Sequence, residues 1–256
     1  MKYSWKGWTL VLAAAAALLA GCGQKEAKCL KLGTAPEFPP FELRGGPKGT
    51  DVVGFDVEVA KAIAAKAGLP LKIVELDFDR LLPALAEGQV DLVLAALTIN
   101  DERRALVDFS IPYYKATQVA LILAGGPVPE SKEELKGMKT AALAGTTGFA
   151  VAEELTAAEN IRSVASPQAA AVDLMNSQVD LAILDEQPAA LLAERNPELM
   201  LLRPDFPEEF YGVAVRKGDT NLLETVNQTL GEISADGRYE RFADQWLIYP
   251  AESAEQ

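Results

Sequence analysis

The apolar positions along this chain fall into two alternating periods. Residues 30–34 form a short apolar run of strand length. After it, Val57, Ala60, Ile63, Ala64 and Ala67 recur at spacings of three and four, one face of a helix that should stop at Gly68, with Pro70 beyond it. A strand over 71–76, a helix over 79–87, a strand over 91–97 and a helix opening at Asp101 come next. This alternation predicts parallel strands with helices packed on their faces. A long apolar stretch at 117–124 leads into Gly125-Gly126-Pro127, and the alternation restarts. Strands are expected at 140–144, 161–164 and 179–184, and helices at 149–158 and 169–176. A strand-like run at 210–216 then precedes a helical C-terminus over 221–247.

The pattern therefore occurs twice, and one internal echo supports two similar lobes. LAEGQVDLVLAAL (85–97) and LMNSQVDLAILDE (174–186) each run from a helix end through Gln-Val-Asp into an apolar strand. Each strand delivers the residues after it to the C-terminal edge of a sheet, where open α/β folds bind ligands. After the first strand come Thr98 and Arg103; after the second comes Asp185.

The N-terminus is set apart. Lys2 and Lys6 precede an apolar run from Thr9 to Ala20, shorter than the ~20 residues that span a bilayer but suited to a signal peptide. Leu19-Ala20-Gly21-Cys22 resembles the lipobox of bacterial lipoproteins, whose cysteine is lipidated and becomes the first mature residue. The alternative is ordinary cleavage with Cys22 paired to Cys29. Cleavage before Cys22 removes two lysines and no acid, taking the formal charge from −13 to −15. So acidic a chain repels nucleic acid and anionic head groups. Histidine is absent, which excludes Ser-His-Asp and Cys-His nucleophiles and removes the commonest zinc ligand; neither a cofactor nor a metal is expected.

Arg103 raises an electrostatic question. Asn100 reads as the N-cap of a short helix, so Arg103 and Arg104 fall near its positive end, where each arginine costs about 0.3–1 kcal/mol. Either Arg103 is a solvated surface residue paired with Glu102 or Asp108, or the helix end and the guanidinium form a joint anion site. A charge-assisted bond of about 1.5–3 kcal/mol would exceed the penalty. Asp185 is either a helix-entry acid before Pro188 or a carboxylate facing Arg103 from the other lobe, the pair holding a zwitterion. AlaGlyThrThrGly (144–148) lacks the lysine of a nucleotide loop. It is either a structural turn or a cradle offering backbone N–H groups and the Thr147 hydroxyl to a small carboxylate. Phe38, in a Pro-rich loop, and Phe55, just before a helix expected to be capped by Asp56, could sandwich a ligand side chain or pack as satellite core.

Taken together, TAPEFPPFE, VGFDVEVAKAIA, QVDLVLAALTINDERRALVDFSIPYY, LAGTTG, QVDLAILDEQPA and YGVAVRKGDTNLLETVNQTLGEISADGRYERFADQWL resemble the bacterial extracellular solute-binding proteins of family 3. These are the capture components of polar amino acid ABC importers. The pieces occur in the family's order and cover nearly all of the mature chain. The resemblance implies a two-lobed α/β fold of the periplasmic-binding-protein type, each lobe a mostly parallel sheet flanked by helices. Two hinge strands, near 117–120 and 212–214, would join the lobes. Residues 1–21 would be signal peptide, 22–29 a lipidated tether, 30–117 with 214–250 the first lobe, and 118–213 the second.

The resemblance also implies roles. Arg103 would grip a ligand α-carboxylate, helped by Thr98 and the backbone of Ala96 and Leu97. Asp185 would take the α-ammonium, Thr147 and the N–H of Gly148 would close over the carboxylate, and Phe38 and Phe55 would flank the side chain. Many relatives have glycine where this chain has Ala96, and some carry an acid near Ala35 that reads a cationic side chain; here Glu37, Asp77 or Asp79 could substitute. The implied function is a non-catalytic, monomeric extracytoplasmic receptor. It would be anchored to the membrane through lipid on Cys22, and would capture a polar amino acid, a cationic arginine- or lysine-like one included, between two closing lobes and feed it to a permease. The alternative is a cyclohexadienyl or arogenate dehydratase-like enzyme on the same fold, with Asp185 or Glu37 as general acid.

Overall fold

The computed structural model describes residues 28–247; the segment expected to be a signal peptide and Cys22 lie outside the described residues. From its N-terminal end the chain forms β1 (Leu30–Thr34), β2 (Glu37–Phe38), β3 (Glu42–Gly45), β4 (Asp51–Val53), α1 (Phe55–Ala67), β5 (Leu71–Glu75), α2 (Phe78–Ala86), β6 (Leu92–Val93), α3 (Asp101–Leu106) and β7 (Val107–Phe109). The second part holds β8 (Tyr114–Leu123), β9 (Thr140–Leu143), α4 (Thr147–Leu155), β10 (Ile161–Val164), α5 (Pro167–Met175), β11 (Leu181–Asp185), α6 (Glu186–Arg195), β12 (Leu199–Leu202) and β13 (Glu208–Tyr211). The chain then returns through β14 (Ala214–Arg216), α7 (Thr220–Ala235) and α8 (Arg238–Trp246).

Two large sheets result, one in each lobe, beside a small layer of β2-β3-β4. The first has the order β5-β1-β6-β14-β7 and the second β10-β9-β11-β8-β12, with β13 also pairing β8. In each, the strands linked by helices run parallel, and the strands that arrive from the other lobe, β14 in the first and β8 in the second, pair antiparallel. Each sheet is thus parallel where β-α-β units built it and antiparallel where the crossing strand joined.

Helix α1 shows why the apolar period was informative. Val57, Ala60, Ile63 and Ala64 are buried, the last three against a core shared with Val226, Leu230 and Ile233 of α7 and Ala243 of α8. Each large apolar side chain so buried contributes about 1.5–3 kcal/mol. Gly68, at φ 65°, ends the helix in the left-handed conformation, its N–H turned back to the Ala64 and Ala65 carbonyls.

The Gln-Val-Asp echo is geometric as well as sequential. Before each strand the chain turns through a left-handed residue, Gly88 at φ 75° and Ser177 at φ 54°. The next amides return to the helix end, Gln89 N–H to the Ala84 carbonyl and Gln178 N–H to the Asp173 carbonyl, both at 2.9 Å. Each aspartate then clamps the start of a neighbouring strand. Asp91 Oδ2 accepts from Lys31 N–H and Asp180 Oδ2 from Lys139 N–H, each at 2.9 Å. The repeated triplet is therefore a joint that fixes the register of each parallel strand pair.

Several expectations are corrected. The strand expected over 91–97 pairs only at Leu92–Val93, because the chain turns out of the sheet at Ala96, whose φ is 47°. Residues 210–216 divide into β13 and β14 around Gly212. The Ile99 side chain stands 2.7 Å from where a Gly212 Cβ would be, so the crossing needs glycine. Asp56 is not an N-cap: Gly54 occupies that position, and Asp56 is fully buried in the first turn of α1. The antiparallel layer β2-β3-β4 had no expectation, since its strands are short and interrupted by Pro and Gly.

Candidate functional site

A cavity of about 720 Å³ opens between the lobes. The first lobe contributes Phe38 and Glu42 from the β2-β3-β4 layer, Asp77–Arg80 around the start of α2, Ala96 and Thr98 from the loop after β6, and Arg103 from α3. The second contributes Gly145–Thr147 from the turn before α4, and Asp185 from the end of β11. The walls are thus the C-terminal edges of strands in both sheets, as expected of an open α/β fold.

Arg103 is buried, 8% exposed, in a helix of six residues whose N-cap Asn100 accepts from its N–H at 2.8 Å. Its side chain leaves the helix surface and spans the cleft. Nη1 donates to the Thr98 carbonyl at 2.8 Å, Nη2 donates to the Gly145 carbonyl of the other lobe at 3.1 Å, and the guanidinium lies 5.5 Å from the Phe78 ring centroid. Gly145 presents that carbonyl from a left-handed turn, at φ 75°. Burial pulls the Arg103 pKa down; the Glu209 and Asp185 charges work against it. The compensation for an arginine in this short helix is therefore a pair of carbonyls and a ring. Neither Glu102 nor Asp108 pairs with it, and Asp108 instead meets Lys217 at 3.1 Å.

Asp185 closes the opposite wall. It precedes α6 but makes no side-chain capping bond. Its Oδ1 accepts from Tyr211 O–H at 2.5 Å and from Gln118 Nε2 at 3.1 Å. Burial pushes its pKa up to about 7, Tyr211 opposes that rise, and Glu209 adds to it. Thr98 and Thr147, one from each lobe, bring their hydroxyls to 3.4 Å of one another. Thr147 opens α4 beside the N-cap Thr146.

Beneath the cavity lies a second acidic group that sequence reasoning missed. Glu42 is fully buried, lines the cavity and, among the described residues, receives no hydrogen bond from any N–H or O–H group. Its neighbour is the Asp56 carboxyl, with which it can bond only as the protonated acid. Burial, then the Asp56 and Asp185 charges, hold its pKa well above the ordinary carboxylate range. Asp56 accepts from Ala96 N–H at 2.8 Å and from Tyr113 O–H at 2.8–2.9 Å, and burial raises its pKa to about 7. The Asp56 carboxylate thereby fixes Ala96 in its left-handed turn and aims the loop that carries Thr98.

Of the expected site residues, Phe38, Ala96, Thr98, Arg103, Thr147 and Asp185 line the cavity, as do Glu37, Asp77 and Asp79. Three do not reach it. Phe55 is fully buried, its ring among Phe41, Tyr113, Tyr114 and Tyr239. As the first residue of α1 it points inward with the apolar face, so Phe41 and Phe55 form core rather than a ligand wall. Leu97 is 1% exposed in the core beneath α2, and its carbonyl accepts from Gly212 N–H at 3.1 Å. Gly148 is packed so closely on Gln118 that a Cβ would lie 2.9 Å from Oε1. Phe78, Gln118, Glu209 and Tyr211 join the site with no signal in the sequence pattern; the last two sit on β13, which only the folded chain brings to the cleft.

A family model describing bacterial extracellular solute-binding proteins, family 3, matches residues 30–248. The chain belongs to this family. Among its relatives, the L-arginine-binding protein of Pseudomonas aeruginosa is 30% identical over 232 residues, covering 87% of this chain and 89% of that protein. Among solved structures, the arginine-, lysine-, histidine-binding protein ArtJ of Geobacillus stearothermophilus superposes with a TM-score of 0.80 at 31% identity, over 88% of this chain and 97% of that one. The ancestral amino acid-binding protein AncCDT-1, a precursor of cyclohexadienyl dehydratase, superposes at 0.78 and 32% identity, over 85% of this chain and 95% of that one. The two-lobed periplasmic-binding-protein fold of this family member is evident from both sheets and superpositions.

Proposed function

We propose that the cleft captures an α-amino acid with a cationic or polar side chain and that the closed, loaded protein delivers it to the permease of an ABC importer. The observation that carries this reading is the pairing of opposite charges in one cavity. Arg103 from one lobe and Asp185 from the other are both buried and both line it. A zwitterion offers each its counter-charge: the carboxylate takes the guanidinium fork and the Thr98 and Thr147 hydroxyls, and the ammonium takes Asp185. Only a closed cleft lets one molecule meet both, so the ligand binds the closed state better and shifts the population towards it.

The side-chain preference comes from the remaining walls. Beyond that pair the lining carries the carboxylates of Glu37, Glu75, Asp77 and Asp79 against Arg44 and Arg80, and Arg44 is already tied to Glu75 at 2.6 Å. This surplus of negative charge favours an arginine-, lysine- or histidine-like ligand, with Phe38 as an apolar wall. The division into a first lobe of 30–117 and 214–250 and a second of 118–213, a lipid anchor on Cys22 and a monomeric state complete the proposal. A thermal-shift screen of the common amino acids tests it. A ligand at about 100 times its dissociation constant adds about 2.7 kcal/mol to stability, and absence of a shift with every polar amino acid would reject the reading.

A further inference from the structure

Strand β13 carries an acid into the cleft that no motif singled out. Glu209 stands opposite Ala116 of β8, half-buried. Its Oε2 accepts from Thr98 O–H at 2.8 Å and from Thr147 O–H at 2.7 Å. One hydroxyl belongs to each lobe, so a single carboxylate oxygen joins the two. Glu209 is also the foremost of the negative charges that support a charged Arg103. The place proposed above for the ligand's carboxylate is thus already served by a carboxylate of the chain itself. A hydroxyl has one proton to donate, so a Thr98 or Thr147 proton given to Glu209 is withheld from an incoming carboxylate. Two carboxylates in one small subsite would also repel.

We propose that Glu209 is a tethered stand-in for the ligand's carboxylate: it clasps the two lobes in the empty protein and must leave the threonine hydroxyls before an amino acid can be seated. The proposal rests on the reading that Arg103, Thr98 and Thr147 form the carboxylate subsite. It also separates two classes of ligand. A cationic amino acid displaces Glu209. A cation of the same shape with no carboxylate, such as a decarboxylated amino acid, leaves Glu209 in place and gains it as a counter-charge.

The test uses the mature protein and its Glu209→Ala and Glu209→Gln variants, with two readouts. Small-angle X-ray scattering reports the radius of gyration of the empty protein, and calorimetry reports binding of arginine and of agmatine, the same cation without the carboxylate. Glu209→Ala should expand the empty protein, tighten arginine binding by about tenfold, the equivalent of one net hydrogen bond no longer broken, and weaken agmatine binding. Glu209→Gln, which keeps an oxygen acceptor but no charge, should lie between. An empty Glu209→Ala protein as compact as the parent, or arginine binding unchanged or weakened, overturns the proposal. If neither cation binds the parent, the subsite reading fails, and the scattering comparison alone decides whether Glu209 clasps the lobes.

Discussion

Asp185 and Asp56 make the stability of the empty protein depend on pH in a direction opposite to that of a salt-bridged acid. Burial raises both from an ordinary 3.8 to about 7, and Glu42 is raised as well. Below about pH 4 both the folded and the unfolded chain hold these protons, and no difference arises. Between about pH 4 and pH 7 the unfolded chain releases them while the folded one keeps them. The folded state then binds more protons, so unfolding free energy falls as pH rises. Above about pH 7 the two aspartates are ionised in both states and their contribution to the slope vanishes. A shift of about 3 units at about 1.4 kcal/mol per unit sets an upper bound near 4 kcal/mol for each aspartate. Urea unfolding of the ligand-free protein at pH 5 and pH 8 should show the loss, and Asp185→Asn, which cannot titrate, should shrink it by a few kcal/mol. The ligand supplies the converse: an ammonium seated on Asp185 favours its ionised form, so binding at pH 6 should release close to one proton. Calorimetry in two buffers of different ionisation enthalpy reads that proton. If the pH 5 to pH 8 difference were the same in Asp185→Asn as in the parent, the raised Asp185 pKa would be refuted.

Three further outcomes concern single positions. Arg103→Ala should lose at least about 2–3 kcal/mol of amino acid affinity, the worth of a charge-assisted pair, and calorimetry showing unchanged binding would remove Arg103 from the site. Gly54→Ala should destabilise by about 3 kcal/mol or more, because a Cβ there would lie 2.1 Å from the Phe41 carbonyl oxygen at a φ of 137°; a denaturant midpoint close to that of the parent would contradict the geometry. Ser177→Gly, at the exposed left-handed turn whose counterpart is Gly88, should stabilise by about 1 kcal/mol and raise Tm by about 2–4 °C, whereas a lower Tm would mean that the serine side chain matters there.

The sequence by itself determined the alternation of strands and helices, the duplication, and the edges from which residues lining the cavity had to come. Apolar periodicity is a local property, so Leu30–Thr34 and Ile161–Val164 coincide with the expected strands, and α1 ends at Gly68 as its glycine required. The Gln-Val-Asp triplet was legible for the same reason: its hydrogen bonds run to the helix just before it and to the strand beside it. Arg103, Thr98, Thr147 and Asp185 were legible because each ends or comes just after an element in its own lobe. The bonding partner of each of those groups was decided only by tertiary structure. The Arg103 partner on Gly145 lies 42 residues away, the Tyr211 partner of Asp185 26 away, and the Glu209 that meets Thr98 111 away, and no local pattern encodes such distances. Phe55 shows the limit from the other side: a flat ring beside a helix start serves a cleft or a core equally well, and the packing of Phe41, Tyr113, Tyr114 and Tyr239 around it made it core. Composition fixed that no histidine takes part; folding fixed that two aspartates, lifted by burial to about pH 7, titrate in the range a histidine would have covered.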